Sequence, residues 1–237
     1  MTPMLIVVPF WRGDLPQAWD LLRIITGLQK VHVGPQAHVL LVCRQDAMHD
    51  RDMIKLVMAK FNTFTFISRS AMKGWPDGPN GMFGSAMIHV ANNGKNKYEV
   101  VYWMEPDAIP LVPDWFNDLL GAWRARPPGT LVVGNRGDAN GNGTGDHITG
   151  CAMYAPNIAR SVLSKITHTS GMAWDWIHRE DIVKHGQHTH LIENYYKATN
   201  CSEEQFEAFI SNGRKIVHGF KDRSLVSHVA KKYGIKI

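Results

Sequence analysis

The sequence predicts an α/β protein with a mostly parallel central sheet flanked by helices, and three observations carry that prediction. Apolar runs of strand length alternate with segments of helical period from residue 5 to residue 104, the order expected of a parallel layer. The last of those runs ends at two carboxylates two residues apart, and the carboxyl ends of strands are where open α/β sheets collect ligands. Finally, 237 residues that are 44% apolar and 20% charged suffice for one full hydrophobic core.

The elements follow in chain order. Apolar runs at 5–10, 38–43 and 64–67 read as strands. Between the first two, 15–29 has helical spacing through Leu21, Leu22, Ile25 and Leu28; between the second and third, 48–61 repeats it through Met53, Ile54, Val57, Met58 and Phe61. Turn formers fill 73–81, and a small-residue helix over 82–91 leads to the strand Glu99-Val100-Val101-Tyr102-Trp103-Met104, stopped by Pro106 and Pro110. Pro113-Asp114-Trp115 opens a helix running to Trp123, and 130–133 reads as a strand. Glycines and asparagines exclude a regular element over 134–145, which reads as a mobile or ligand-facing loop. A strand over 147–156 and a helix over 157–166 complete the elements visible in the pattern.

Composition narrows the classes of function. No apolar run approaches the ~20 residues needed to cross a bilayer, and the opening segment has no basic n-region, so a soluble cytoplasmic protein without a membrane partner is expected, in the host cytoplasm if viral. Three widely spaced cysteines, Cys43, Cys151 and Cys201, read as reduced structural thiols. His185, His188 and His190 lack a cysteine or carboxylate to complete a zinc set. A net charge of +5 and the basic tail from Arg214 to Lys236 favour a polyanionic partner or simply a solvated face.

Two motifs carry the chemistry. Glu105-Pro106-Asp107 places two acids where a strand ends, which suits a divalent cation beside a phosphorylated substrate and equally an exposed acidic turn. Late in the chain, Ile216-Val217-His218-Gly219-Phe220-Lys221 delivers an imidazole and a lysine three residues apart. A carboxylate between tryptophans, Trp174-Asp175-Trp176, is a candidate general base, with Glu180 and Asp181 as runners-up and helix capping as the structural alternative for Asp175.

Together the mid-chain acid-x-acid and the late His-Gly-x-Lys resemble nucleotide-sugar glycosyltransferases of the GT-A fold, with Asp175 placed as family 2 enzymes place their base. The resemblance implies a Rossmann-like single domain over 1–237, with a nucleotide-sugar half at 1–110 and an acceptor half with the metal and diphosphate segment at 111–237. It implies transfer of a hexosyl or pentosyl group from a nucleotide sugar, UDP-sugar favoured, with Mn²⁺ or Mg²⁺ as cofactor. Carried over by residue, Asp107 and His218 are metal ligands and Lys221 contacts the diphosphate. Glu105, a glutamate where the family usually has aspartate, contacts ribose or reaches the metal through water. Pro9 and Phe10 end the first strand where the nucleobase is received, Arg44 lies within reach of the base or diphosphate, and Asn80 belongs to a loop over the nucleotide. Compact enzymes resembling this chain occur among bacteriophage proteins that glycosylate hydroxymethylated DNA bases, so hydroxymethylated DNA is the first acceptor to consider and a saccharide the rival. A nucleotidyltransferase and a non-catalytic nucleic-acid-binding protein are the competing classes.

Overall fold

The computed structural model describes residues 3–45, 47, 50–70, 74–94, 97–137, 146–161 and 171–237. The first strand, β1 (Met4–Phe10), is buried along its whole length, as its unbroken apolar run requires of a strand covered on both faces. Helix α1 (Leu15–Gly27) follows with Pro16 in its first turn, and β2 (Ala37–Arg44) pairs parallel to β1. Helix α2 (Arg51–Met58) starts at Asp50, whose carboxylate accepts from the Asp52 N–H at 2.8 Å. β3 (Asn62–Ser68) lies at the sheet edge, and β4 (Val100–Trp103) pairs parallel to β1 on its other side.

Helix α3 (Asp77–Asn93), between β3 and β4, begins five residues before the expected 82, inside the segment read as turn formers. Pro79 is tolerated because first-turn N–H groups have no intrahelical acceptor. β5 (Ala108–Pro110) is a short strand that the local pattern did not show; it follows the end of β4 and includes Pro110. As an edge strand β5 does not need the N–H that proline lacks.

After α4 (Trp115–Arg124), β6 (Val132–Gly137) extends past the expected 133 into the stretch read as irregular. Residues 134–137 gain their regularity from pairing with β7 (His147–Tyr154), joined at Gly134 by β8 (Gly186–His188), which local composition does not show. The rest of that loop, 138–145, lies outside the described residues, as does 162–166 of the helix expected over 157–166, of which α5 (Ile158–Ser161) is seen. The chain closes through α6 (Trp174–Ile177), α7 (Arg179–Lys184), β8, β9 (Ile192–Ala198), α8 (Glu203–Ser211), β10 (Ile216–Phe220) and α9 (Ser224–Tyr233).

The central sheet has the order β3-β2-β1-β4-β7-β6-β8, parallel except where β7 runs against β4 and β6. A small sheet, β5-β10-β9, stands at its C-terminal edge. Apolar clusters cover both faces of the large sheet. All three cysteines are buried free thiols, and burial pushes Cys151 up to about 11. Among the described residues no helix is long and apolar enough to cross a membrane.

Candidate active site

The site is assembled where the two sheets meet. β4 ends at Trp103, the Met104 N–H still donates to the Val7 carbonyl at 2.9 Å, and the chain then turns so that the Ala108 N–H bonds the Glu105 carbonyl at 2.9 Å. That turn brings Glu105 and Asp107 to one side, while β5 pairs antiparallel with β10 and sets His218 opposite Ala108. His218 Nε2 lies 3.3 Å from Glu105 Oε2 and 3.3 Å from Asp107 Oδ1, and Lys221 Nζ is 2.5 Å from Asp107 Oδ2.

Gly219 makes this arrangement possible. Its φ is +107°, and a Cβ there would sit 1.8 Å from the Tyr195 carbonyl oxygen, so only glycine allows β10 to approach β9 this closely. The register shifts between His218 and Phe220, and this bulge turns the following Lys221 toward Asp107. Arg223 then bridges to the buried Asp20 of α1 at 2.5 Å, tying the end of β10 to the first helix.

The electrostatics are tightly coupled. Burial by itself would raise the Asp107 carboxyl, but His218 and Lys221 outweigh it and hold the group well below the carboxylate range. Burial disfavours the His218 imidazolium, yet Asp107 and then Glu105 keep its pKa well above the ordinary value. Burial also opposes charge on Lys221, and the neighbouring carboxylates reverse the effect.

A divalent cation fits this donor set. One ligand atom from each of Glu105, Asp107 and His218 falls within 4.8 Å of the others, the one such group among the described residues. His218 Nε2 is buried between the two carboxylates, 3.3 Å from each, so a cation taking the place of its proton would meet all three groups at once. Two hard oxygens and an imidazole suit Mn²⁺ or Mg²⁺.

Asp175 lies on the other side of Gly150, in the first turn of α6. A Cβ on Gly150 would be 3.5 Å from both Asp175 Oδ2 and Glu105 Oε1, so those oxygens are no more than twice that distance apart. The Asp175 carboxylate accepts from the Gly150 N–H at 2.9 Å and from the Trp176 N–H at 3.0 Å, and His147 Nε2 is 3.3 Å away. Ala173, not Asp175, occupies the cap position of α6. Glu180 and Asp181 are exposed on α7.

Some expected roles change. Trp174 is a core residue stacked on Phe83 with ring centroids 3.6 Å apart, so it offers no platform to a ligand. Asn80 belongs to α3 rather than to a loop over the nucleotide. Its amide is fully buried, donating to the Met172 carbonyl at 2.9 Å and accepting from the Trp174 N–H at 2.8 Å, so it anchors the segment that carries Asp175. Phe10 packs its side chain into the core and has no face for a base. Pro9 is buried beside it, and Arg44 ends β2 at the same sheet edge as the acids.

Asp14, His147 and Asn194 went unnoticed in the sequence. Burial raises the Asp14 carboxyl, and Lys221 and Asp107 are close enough to act on it. Asp14 also bonds Trp11, which is 45% exposed and whose ring lies against Gly13. None of the three stands in a short motif, so only spacing through the fold identifies them.

No family model matches the sequence, and no curated protein does. Solved structures do. The bifunctional glycosyltransferase WbbM superimposes with a TM-score of 0.64 at 9% identity, over 98% of this chain and 50% of that one. The chain has the GT-A fold. The galactosyltransferase LgtC, solved with donor and acceptor sugar analogues, matches the GT-A chain at TM-score 0.58 and 7% identity, over 99% of this chain and 97% of that one. Mouse xyloside xylosyltransferase 1 matches at TM-score 0.57 and 9% identity, over 92% and 98%. The chain thus spans half of WbbM but nearly all of the other two.

Proposed function

We propose that this chain is a divalent-metal-dependent glycosyltransferase that moves a hexosyl or pentosyl group from a nucleotide sugar, with UDP-sugar the favoured donor, to an acceptor hydroxyl. The observation that carries the reading is the convergence of Glu105, Asp107, His218 and Lys221 at the sheet edge of a GT-A fold, with Asp175 facing them across Gly150. The donor choice is supported by neighbours of the same fold, including TarS from S. aureus, solved in complex with UDP (TM-score 0.51, 12% identity, over 75% of this chain and 54% of that one). We read residues 1–237 as one domain whose two halves share this site.

Asp107 and His218 would hold the cation directly, with Glu105 as the third ligand or as a contact to ribose. A bound Mn²⁺ or Mg²⁺ supplies Lewis-acid neutralisation of the charge that grows on the leaving diphosphate. Lys221 contributes a fixed positive charge to the same oxygens. Asp175 accepts the proton of the acceptor hydroxyl, its carboxylate held in one orientation by the Gly150 and Trp176 N–H groups. Trp11, pinned by Asp14 at the end of β1, presents the exposed ring that Phe10 does not and is the better partner for the nucleobase.

For the acceptor, the observations favour a saccharide over DNA. Every lysine and arginine from Arg214 to Lys232 pairs with a carboxylate: Arg214 with Glu193, Lys215 with Asp118, Lys221 with Asp107, Arg223 with Asp20, Lys231 with Glu203 and Lys232 with Glu207. The tail therefore presents balanced charge rather than a basic face for phosphates. The test is thermal stability with UDP in Mn²⁺ and in EDTA, followed by acceptor screening with glycans and hydroxymethylated DNA. A rise requiring UDP and Mn²⁺ together supports the donor site. No rise with UDP, GDP, CDP or TDP sinks it. Transfer to DNA that collapses with salt would displace the saccharide reading.

A further inference from the structure

We propose that Asn194 orients His218 for cation binding, by accepting from its Nδ1–H so that Nε2, once a cation displaces its proton, turns its lone pair to the space between Glu105 and Asp107. The inference rests on the metal reading above. His218 and Asn194 are direct partners in the parallel pair β10 and β9, so their side chains leave the small sheet on the same face. His218 Nδ1 lies 2.5 Å from Asn194 Oδ1, while the opposite ring nitrogen points at the two carboxylates.

The logic is that of donors and acceptors. Once the cation has displaced one proton the imidazole carries a single N–H, and because an amide oxygen can only accept, that hydrogen stays on Nδ1 and leaves the lone pair on Nε2. With the hydrogen on Nε2 instead, the ring would present an N–H to the space between Glu105 and Asp107 and could not ligate a cation there. The pairing is built into the strands. Gly219, next after His218, meets the carbonyl of Tyr195, next after Asn194, at a separation no other residue permits, and this pins the register that sets Asn194 beside the ring. Asn194 touches the histidine and is a positioning residue rather than a ligand.

Mn²⁺ titration of the full chain, followed by the electron paramagnetic resonance of free Mn²⁺ without nucleotide or turnover, tests the proposal. Asn194→Leu should bind Mn²⁺ roughly 10- to 100-fold more weakly than wild type, the usual cost of losing a partner of a metal-binding histidine. Asn194→Asp, which keeps an acceptor at the same place, should bind as tightly as wild type or tighter. Nitrogen-resolved proton spectra of the metal-free protein should show a downfield His218 Nδ1–H in wild type and Asn194→Asp that is missing from Asn194→Leu, where the Nε2–H facing the carboxylates remains. If the leucine variant does not fold in EDTA, Asn194→Ala takes its place. Equal Mn²⁺ affinity in wild type and the leucine or alanine variant overturns the proposal, as does an aspartate variant that loses as much as leucine. A wild type that binds no Mn²⁺ overturns the metal reading and the orienting role with it, a result distinguishable from tight binding in every variant.

Discussion

The two ends of the site hold their carboxylates in different ways. Around Asp107 the partners are charged side chains, His218 and Lys221, and the ionisation of all three is displaced from the ordinary values, most for Asp107 and His218. Around Asp175 the partners are backbone N–H groups from Gly150 and Trp176, with His147 to one side. Side-chain cations can shift or give up a proton when a metal ion enters. Backbone donors cannot, and they fix a direction instead. On the proposed function, one end would exchange positive charge and the other would aim a single group.

That contrast can be broken in order of expected effect. Asp107→Asn should lower kcat/KM by about 10³-fold, since Lewis-acid stabilisation amounts to several kcal/mol, and should abolish the Mn²⁺-dependent rise in Tm with UDP. Asp175→Asn should lower kcat by roughly 10²- to 10³-fold while leaving that rise intact. Steady-state kinetics beside thermal shifts separates the two, and loss of the UDP response in Asp175→Asn would erase the division of labour.

The charged end should also respond to pH in a way the other does not. A cation must displace the proton on His218 Nε2, so Mn²⁺ affinity should rise by about tenfold per pH unit below the raised pKa of that imidazole. In EDTA the signs follow from each group. Asp107, depressed in the folded state, stabilises above the ordinary carboxylate value near ~4 and loses this as pH falls through its folded value. His218, raised in the folded state, stabilises below its ordinary value near ~6.5 and loses this as pH rises through its folded value. The cluster therefore contributes most between roughly pH 4 and 6.5. A metal-free Tm that climbs steadily from pH 6 to 9 would contradict the assignment.

The smallest effect belongs to His147. Its approach to Asp175 is a partly exposed contact of the kind that contributes about 0.2–1 kcal/mol, so His147→Gln should reduce kcat less than about fivefold. A loss as large as that of Asp175→Asn would instead make the pair a unit.

Much of the frame was legible from local pattern. The alternation of Val7, Leu41 and Val101 strands with the Leu21-Leu22-Ile25 and Met53-Val57 helices is periodicity that survives folding unchanged. What escaped was decided by pairing at a distance. Residues 134–137 are composed like a loop and form a strand because β7 pairs along them and β8 joins at Gly134. Asn80, amid glycines and prolines, reads as a turn residue and is a buried anchor for the 172–174 backbone. Trp174 and Trp176 look equivalent in sequence, yet one stacks on Phe83 in the core and the other stays half-buried beside His147.

By itself the sequence determined the α/β class, the strand end that carries Glu105 and Asp107, and the late His-Gly-x-Lys, because each is a property of residues near one another along the chain. Only the tertiary structure decided that His218 and Lys221 meet Asp107, that Gly150 stands between Glu105 and Asp175, and that Asn194 faces His218. Those contacts join residues 24 to more than 100 positions apart, and they depend on sheet register and on one glycine whose missing Cβ lets two strands touch.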